Sequence, residues 1–269
     1  MKVLTVTDIH QSAAHYGSLR EAVTQHRPEV VACVGDFLGL DRGLGSPLSP
    51  KECAAQLSAL DVEHLVFVRG NHEAEDWQSF VYAWPFERRP LVALHGTTHV
   101  IGPLVIVGFP CELGWDGPWR ETLPKTGNAL TLVPEESGRK RLPKNPNRWL
   151  KPLLRAHDPT ARTLWLLHEP PITYPLADPT SCNPKWAAAV ERYQPLLTVS
   201  GHDHVAPLRN SAWHWQVGKS VCVNVGQSPM ALRYCVLDFT FSGTSPSVPT
   251  KISVQAFPGA RLLDIPGRC

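Results

Sequence analysis

The stretch Lys2-Val3-Leu4-Thr5-Val6-Thr7-Asp8-Ile9-His10 decides how the chain is read. Lys2–Thr7 has the β-branched, apolar character of a short buried strand. A carboxylate and an imidazole, Asp8 and His10, stand just past its end. The arrangement recurs down the chain. Val30–Val34 runs into Gly35-Asp36, and His64–Val68 into Gly70-Asn71-His72-Glu73. Thr163–Leu167 runs into His168, and Leu196–Ser200 into Gly201-His202-Asp203-His204. In an open α/β sheet the carboxyl ends of the strands form the crevice where ligands bind. Two Asp, one Asn and five His are therefore expected to converge on one edge. Glycine at 35, 70 and 201 lets the backbone turn sharply there.

Helical patterns separate the first strands. Ser18–His26 is expected to be helical, with Ser18 as N-cap and Glu21 completing a capping box. Ser49–Leu60 carries a stronger signature: Ser49 caps, Pro50 fits the first helical position and Glu52 follows at the third. Ala74–Trp84 is expected to stop before Pro85. Val92–Leu94, His99–Ile101 and Leu104–Gly108 read as strands, the last two as a hairpin across Gly102-Pro103. Pro184–Tyr193 is a further helix. From Ala212 onward only strands are expected: Ala212–Val217, Ser220–Val225, Ala231–Thr240 and Lys251–Phe257, with the Ser/Pro-rich Gly243–Thr250 as a turn. The β-α-β-α-β opening predicts a parallel sheet with helical crossovers, and the ending adds antiparallel strands. The fold class read from this is α/β, two mixed β-sheets packed as a sandwich and flanked by helices. Residues 1–269 are read as one domain. Residues 112–147, rich in Pro, Gly, Asn and Trp, are read as a lid-like insertion closed by a helix from Arg148 to Ala156.

Composition narrows the class. Hydrophobic residues make up 43% of the 269, charged residues 19%, and the net charge is +2. A disordered chain would be more polar and further from neutrality, and so small a charge gives no support to a general DNA-binding protein. No apolar run approaches the roughly 18 residues of a membrane helix. The apolar stretch near Met1 is too short for a secretory leader. The seven Cys are odd in number, widely spaced and without a CxxC, so they are expected to be reduced thiols of a cytoplasmic protein.

The converging residues form a metal-ligand inventory. Neutral imidazole and carboxylate suit Mn, Fe, Zn or Ni, and no thiolate is present to favour a structural zinc site. The donors are too many for one ion, whereas two ions sharing a carboxylate would use them all. Two divalent ions bring four positive charges against two Asp, leaving a surplus for an anion. Metals roughly 3.5–4 Å apart clamp the attacking and leaving oxygens of a phosphoryl displacement and lower the pKa of a bound water. Each motif alone has a plainer reading. Asp8-x-His10 suits a strand-end turn, Gly-Asp is common turn chemistry, Asn71 suits a left-handed position, and a lone His168 suits a core. All five in order, each at a strand end, favour the ligand set.

The series Asp8-x-His10, Gly35-Asp36, Gly70-Asn71-His72-Glu73, His168, Gly201-His202-x-His204 resembles the calcineurin-like metallophosphoesterase superfamily, in its small bacterial-type form, over about residues 2–240. The resemblance implies a first metal held by Asp8, His10, Asp36 and His204. It implies a second held by Asp36, Asn71, His168 and His202, with Asp36 bridging. It implies His72 as the catalytic residue near the leaving-group oxygen, and a metal-bound hydroxide attacking phosphorus in mono- or diesters. Asp203, between the two His, is a departure, since small or hydroxyl residues are common there. The stretch Asp36–Gly43 and Arg69 echo the protein phosphatases, which makes Arg42 and Arg69 candidate substrate-binding residues.

Gly138–Arg155 holds seven basic residues and no acidic one, near Trp115, Trp119 and Trp149. It is either a lid for an anionic, base-containing substrate or a solvated face; charge runs are usually the latter. Three functions compete. The leading one is a phosphatase or phosphodiesterase with two divalent ions, manganese among them, acting on a small phosphorylated substrate such as a nucleotide. The others are a nuclease of the same fold acting on single-stranded nucleic acid, and a non-catalytic scaffold. Of the other histidines only His15 is expected within reach of the crevice.

Overall fold

Alternation inside single strands builds the layers. The computed structural model describes residues 1–39, 47–94, 96–110, 150–151, 163–172, 175–242, 245–259 and 261–266. β1 (Lys2–Val6), β2 (Val30–Val34), β3 (His64–Val68) and β4 (Val92–Ala93) run parallel and adjacent. On the other side of β1 the antiparallel strands β11 (Tyr234–Ser242), β12 (Ser245–Phe257) and β13 (Arg261–Pro266) complete a sheet of seven. A sheet of six has the order β5 (Thr97–Ile101), β6 (Leu104–Phe109), β7 (Thr163–Leu167), β8 (Leu197–Ser200), β10 (Ser220–Asn224) and β9 (His214–Val217). Its strands β6, β7, β8 and β10 are parallel, and β5 and β9 close its edges in antiparallel hairpins.

Odd and even positions of a strand face opposite ways. In β1 and β2, Val3, Val30, Ala32 and Val34 meet Ile106, Leu164, Leu166, Val199 and Val223 of the second sheet, forming the core between the sheets. Leu4, Val6, Val31 and Cys33 face outward. There they pack under α1 (Ala13–His26), α2 (Pro50–Ser58) and α3 (Glu73–Ala83). Trp165, Leu167 and Cys222 on the outer face of the second sheet pack under α4 (Pro184–Tyr193). The layers are therefore helix, sheet, sheet, helix. Each fully buried Val or Leu contributes roughly 1.5–3 kcal/mol, and a one-residue slip would turn a strand's inward set outward. Register is thus fixed, and with it the positions of the strand ends. Among the described residues no helix is long and apolar enough to cross a membrane. Cys33, Cys53, Cys182, Cys222 and Cys235 carry free thiols.

Some boundaries differ from the expectation. α1 begins at Ala13 because Ser12, not Ser18, is its N-cap, its side chain accepting from the His15 N–H. The capping box of α2 forms as read, with Ser49 and Glu52 bonded reciprocally. The Ser/Pro-rich segment is largely strand: β12 starts at Ser245, and Pro249 sits where its register against β11 shifts, a place that tolerates a residue without an N–H. β13 and the short α5 (Ala206–Asn210) were not expected. Residues 112–147 with their basic run, Arg42 and most of the helix expected from Arg148 lie outside the described residues.

Candidate active site

The loops that leave β1, β2 and β3 in one sheet, and β7 and β8 in the other, meet at one rim. They are stitched together through the backbone. Asp8 N–H donates to Gly35 O at 3.0 Å, His10 N–H to Asp36 O at 2.9 Å and Gly201 N–H to His168 O at 3.0 Å. Five non-glycine residues there take left-handed backbone: Asp8 (φ 55), His10 (φ 49), Gln11 (φ 59), Asp36 (φ 50) and His202 (φ 64). Each costs roughly 1–2 kcal/mol and persists only where the surroundings over-determine it. Gly35, at φ 88, could not carry a side chain, because a Cβ would run into the His168 ring. A Cβ at Gly201 would overlap Thr7 and the Asp8 carboxylate.

Among the described residues three groups result, with donor atoms within 4.8 Å of one another: Asp8, His10 and His204; His10, Asp36 and His72; Asp36, His168 and His202. Asp36 belongs to two of them. His204 Nε2 lies 3.3 Å from Asp8 Oδ1 and 3.3 Å from His10 Nε2. His168 Nε2 lies 3.3 Å from Asp36 Oδ2 and 3.1 Å from Asn71 Oδ1. Asp36 Oδ1 also accepts from the His72 N–H at 2.9 Å. Asp8 and Asp36 are buried, His202 and His204 half-buried, and Asn71 and His72 exposed, so the cluster has a closed floor and an open mouth.

The donor set fits cations. His168 Nδ1 lies 3.0 Å from Val34 O, a contact that makes it the N–H of the ring. The neutral ring then turns the Nε2 lone pair toward Asp36 Oδ2 and Asn71 Oδ1, and neither oxygen can donate. A proton on Nε2 or a cation among the three relieves both contacts, whereas turning the Asn71 amide over would relieve only its own. Without a cation, the proton wins: burial opposes it, but Asp36 drives His168 up to about 10. Burial also raises Asp36, yet the His168 charge and hydrogen bond outweigh it and hold the carboxyl well below the usual carboxylate range. Asp8 follows the same balance, with the His204 hydrogen bond and the His168 charge overcoming burial. Burial holds His10 and His202 below the ordinary imidazole value, so both present lone pairs at neutral pH.

The calcineurin-like phosphoesterase profile matches residues 1–206. The chain belongs to the calcineurin-like phosphoesterase family. A dimetal phosphatase from Danio rerio superposes with a TM-score of 0.61 at 13% identity, over 100% of this chain and 99% of that one. TT1561 of Thermus thermophilus superposes with a TM-score of 0.58 at 15% identity, over 99% of each chain. These likenesses show the same fold. No curated protein matches the chain by sequence. Family membership makes the protein a metal-dependent phosphoesterase, and its His/Asp clusters are groups able to hold metal.

The structure brings Asp8, His10, Asp36, Asn71, His72, His168, His202 and His204 to the one rim. Arg69 is buried, with its guanidinium 5.6 Å from the centre of the Trp77 ring. Asp203 points away from the cluster: its Oδ1 accepts from Val205 N–H at 3.0 Å and Ala206 N–H at 2.8 Å, and its Oδ2 from Asp178 N–H at 2.7 Å. His15 is buried on the first turn of α1.

Sequence reasoning gave no role to three residues that hold the loops. Glu73 is fully buried and accepts the backbone N–H groups of Asp36, Leu38 and Gly70. Burial, then the Asp36 charge, push its carboxyl up to about 8 against the pull of the Leu38 and Asp36 N–H groups. Asn224 donates to Leu176 O, Gly201 O and Asp203 O, and Gln227 to Thr7 O. Glu73 was signalled only by adjacency to His72. Asn224 and Gln227 carry no local signal, because their partners lie far away in sequence.

Proposed function

We propose that the chain, as one domain, hydrolyses phosphate mono- or diesters at a centre of two divalent cations. The observation that supports this is that the Asp36 carboxylate groups with His10 on one side and with His168 and His202 on the other, while His10 also groups with Asp8 and His204. Asp8, His10, Asp36 and His204 would hold one cation, and Asp36, Asn71, His168 and His202 the other. Such a pair supplies Lewis-acid charge for the phosphoryl oxygens and an activated water as nucleophile. The remaining tasks belong to side chains. Asn71, exposed on the Asp36 side of the cluster and 3.1 Å from His168 Nε2, stands where an ester's phosphate would lie. His72 stands at the mouth with its ring centroid 4.9 Å from that of His10. It delivers a proton to the departing oxygen or stabilises the charge on it. The buried floor keeps bulk water from the rear of the cluster, so the ester enters at the open mouth, where Asn71 and His72 are exposed and His202 and His204 half-buried.

Hydrolysis of an aryl phosphate with Mn, Fe, Zn, Ni and Mg added separately tests the reading. Asp36→Asn is expected to abolish turnover, and His72→Ala to lower kcat by about 10²–10⁴. Both variants turning over as fast as the parent would sink it. Cation binding by calorimetry gives an independent count, with two sites expected. The substrate class is a small phosphate ester, a nucleotide among the candidates. No observation among the described residues favours the nuclease or scaffold readings.

A further inference from the structure

Beside the cluster lies a cavity of about 530 Å³ whose lining includes His202 and His204. Pockets of this size take small organic molecules. Its other walls come from the loop that carries Asp178 and Ser181, from Asp203, whose carboxylate is engaged by the Asp178, Val205 and Ala206 N–H groups, and from Val205 and Arg209 at α5. Those walls are fixed to the ligand loop and to each other. Asp178 N–H donates to Asp203 at 2.7 Å, Asn210 Nδ2 to Pro175 O at 3.1 Å and Asn224 Nδ2 to Leu176 O at 3.0 Å. Arg209 Nη2 donates to Asp178 Oδ2 at 2.6 Å. Both members of that pair are more than half exposed, so it adds little to stability. What it does is hold a guanidinium on the wall of a cavity that begins at two metal-ligand histidines. Among the described residues the Asp178 contact leaves other N–H donors of the guanidinium fork uncommitted, and such a fork matches carboxylate or phosphate. Val205, 52% exposed, offers apolar surface in the same lining.

We infer that this cavity is the leaving-group subsite and that Arg209, held by Asp178, selects phosphate esters carrying a second anionic group, a carboxylate or another phosphate. The inference rests on the two-cation reading above. The scissile phosphate lies at the Asp36 cluster, the organic body lies against Val205, and the second anion meets Arg209. Asp178 tempers the site, because its own charge competes with the ligand for the guanidinium.

Two substrate pairs test it. Glycerol 3-phosphate against 3-phosphoglycerate adds a carboxylate, and adenosine 5′-phosphate against adenosine 3′,5′-bisphosphate adds a phosphate. The parent is expected to prefer the doubly charged member of at least one pair, through KM. Arg209→Ala is expected to lower that preference, as a ratio of kcat/KM values, by about tenfold, the scale of one charge-assisted hydrogen bond at a half-exposed site. Arg209→Lys restores part of it. Asp178→Asn shifts it the opposite way, since the competing charge goes while the backbone N–H to Asp203 stays. A preference that Arg209→Ala leaves unaltered in both pairs overturns the inference, as does a change confined to kcat. If the parent hydrolyses no ester with any metal, the two-cation reading fails separately. Calorimetry on the metal-free protein then decides the subsite. Tighter binding of adenosine 3′,5′-bisphosphate than of adenosine 5′-phosphate, levelled in Arg209→Ala, upholds it, and equal binding overturns it.

Discussion

Asp203→Asn exchanges one acceptor for a donor inside a fully engaged carboxylate. With the amide oxygen at the Oδ1 position, the Val205 and Ala206 bonds of 3.0 and 2.8 Å survive, now to a neutral acceptor. The amide nitrogen then faces the Asp178 N–H, donor against donor, where a 2.7 Å bond stood. The flipped amide loses two bonds instead of one, so the first orientation wins. Asp203 is 5% exposed, and losing one hydrogen bond to a buried charged acceptor while weakening two others costs about 2–3 kcal/mol. Asp203→Ala loses all three, about 3–5 kcal/mol. At about 2–4 °C per kcal/mol for chains of this general size, the Asn variant melts roughly 4–12 °C below the parent. Urea unfolding of the metal-free protein measures the free energies, and Mn calorimetry on the same samples reports whether His202 and His204 have moved. The Asn variant is expected to keep most of its cation affinity because the turn into α5 stays capped, whereas the Ala variant loses it. An Asn variant within about 0.5 kcal/mol of the parent, or an Ala variant no worse than Asn, would refute the reasoning.

Gly35→Ala is expected to destabilise by about 2–4 kcal/mol, the sum of left-handed strain and overlap with the His168 ring, and to weaken cation binding in step; unfolding and calorimetry within error of the parent would count against the packing described. His99 carries a pH dependence. Burial, then the neighbouring His64 charge, hold it below the ordinary value of 6.5, and its Nε2 is buried without a hydrogen-bond partner among the described residues. The folded state therefore takes up this proton later than the unfolded chain, so its contribution is present above pH 6.5 and is lost as pH falls through the depressed value. His99→Phe is expected to flatten the fall in stability between about pH 7 and 5 relative to the parent; parallel pH profiles would exclude the assignment.

The buried strands and their ends were legible because they leave a local record: runs of Val, Leu and Ile stopped by Gly, with the polar residue next in line. That record carried both sheets and the residues that the strand ends gather around Asp36. α1 was misplaced by a competition between two serines. Ser12 and Ser18 both precede helix-compatible residues, and the deciding fact, that Ser12 reaches the His15 N–H, is set by where the β1 loop arrives. β12 was shortened because Ser and Pro are turn residues in isolation, and only pairing with β11 makes a strand of them. The loop anchors were invisible for a related reason. Glu73, Asn224 and Gln227 act on backbone groups of distant segments, and a backbone partner has no sequence signature. Asp203 was visible, but its direction was not, since the same position could face the cations or the α5 turn.

The donor loops come from both layers of the sandwich. Asp8, Asp36 and Asn71 leave one sheet, and His168, His202 and His204 leave the other, so each cation of the proposed pair would be held by side chains of both. On that proposal, chelation would remove a clasp at the rim where the two halves would first part. Hydrogen exchange in the amides at the tips of β1, β2, β7 and β8 is expected to quicken on metal removal while the middle of the sandwich stays protected, so that the centre of catalysis doubles as a seam.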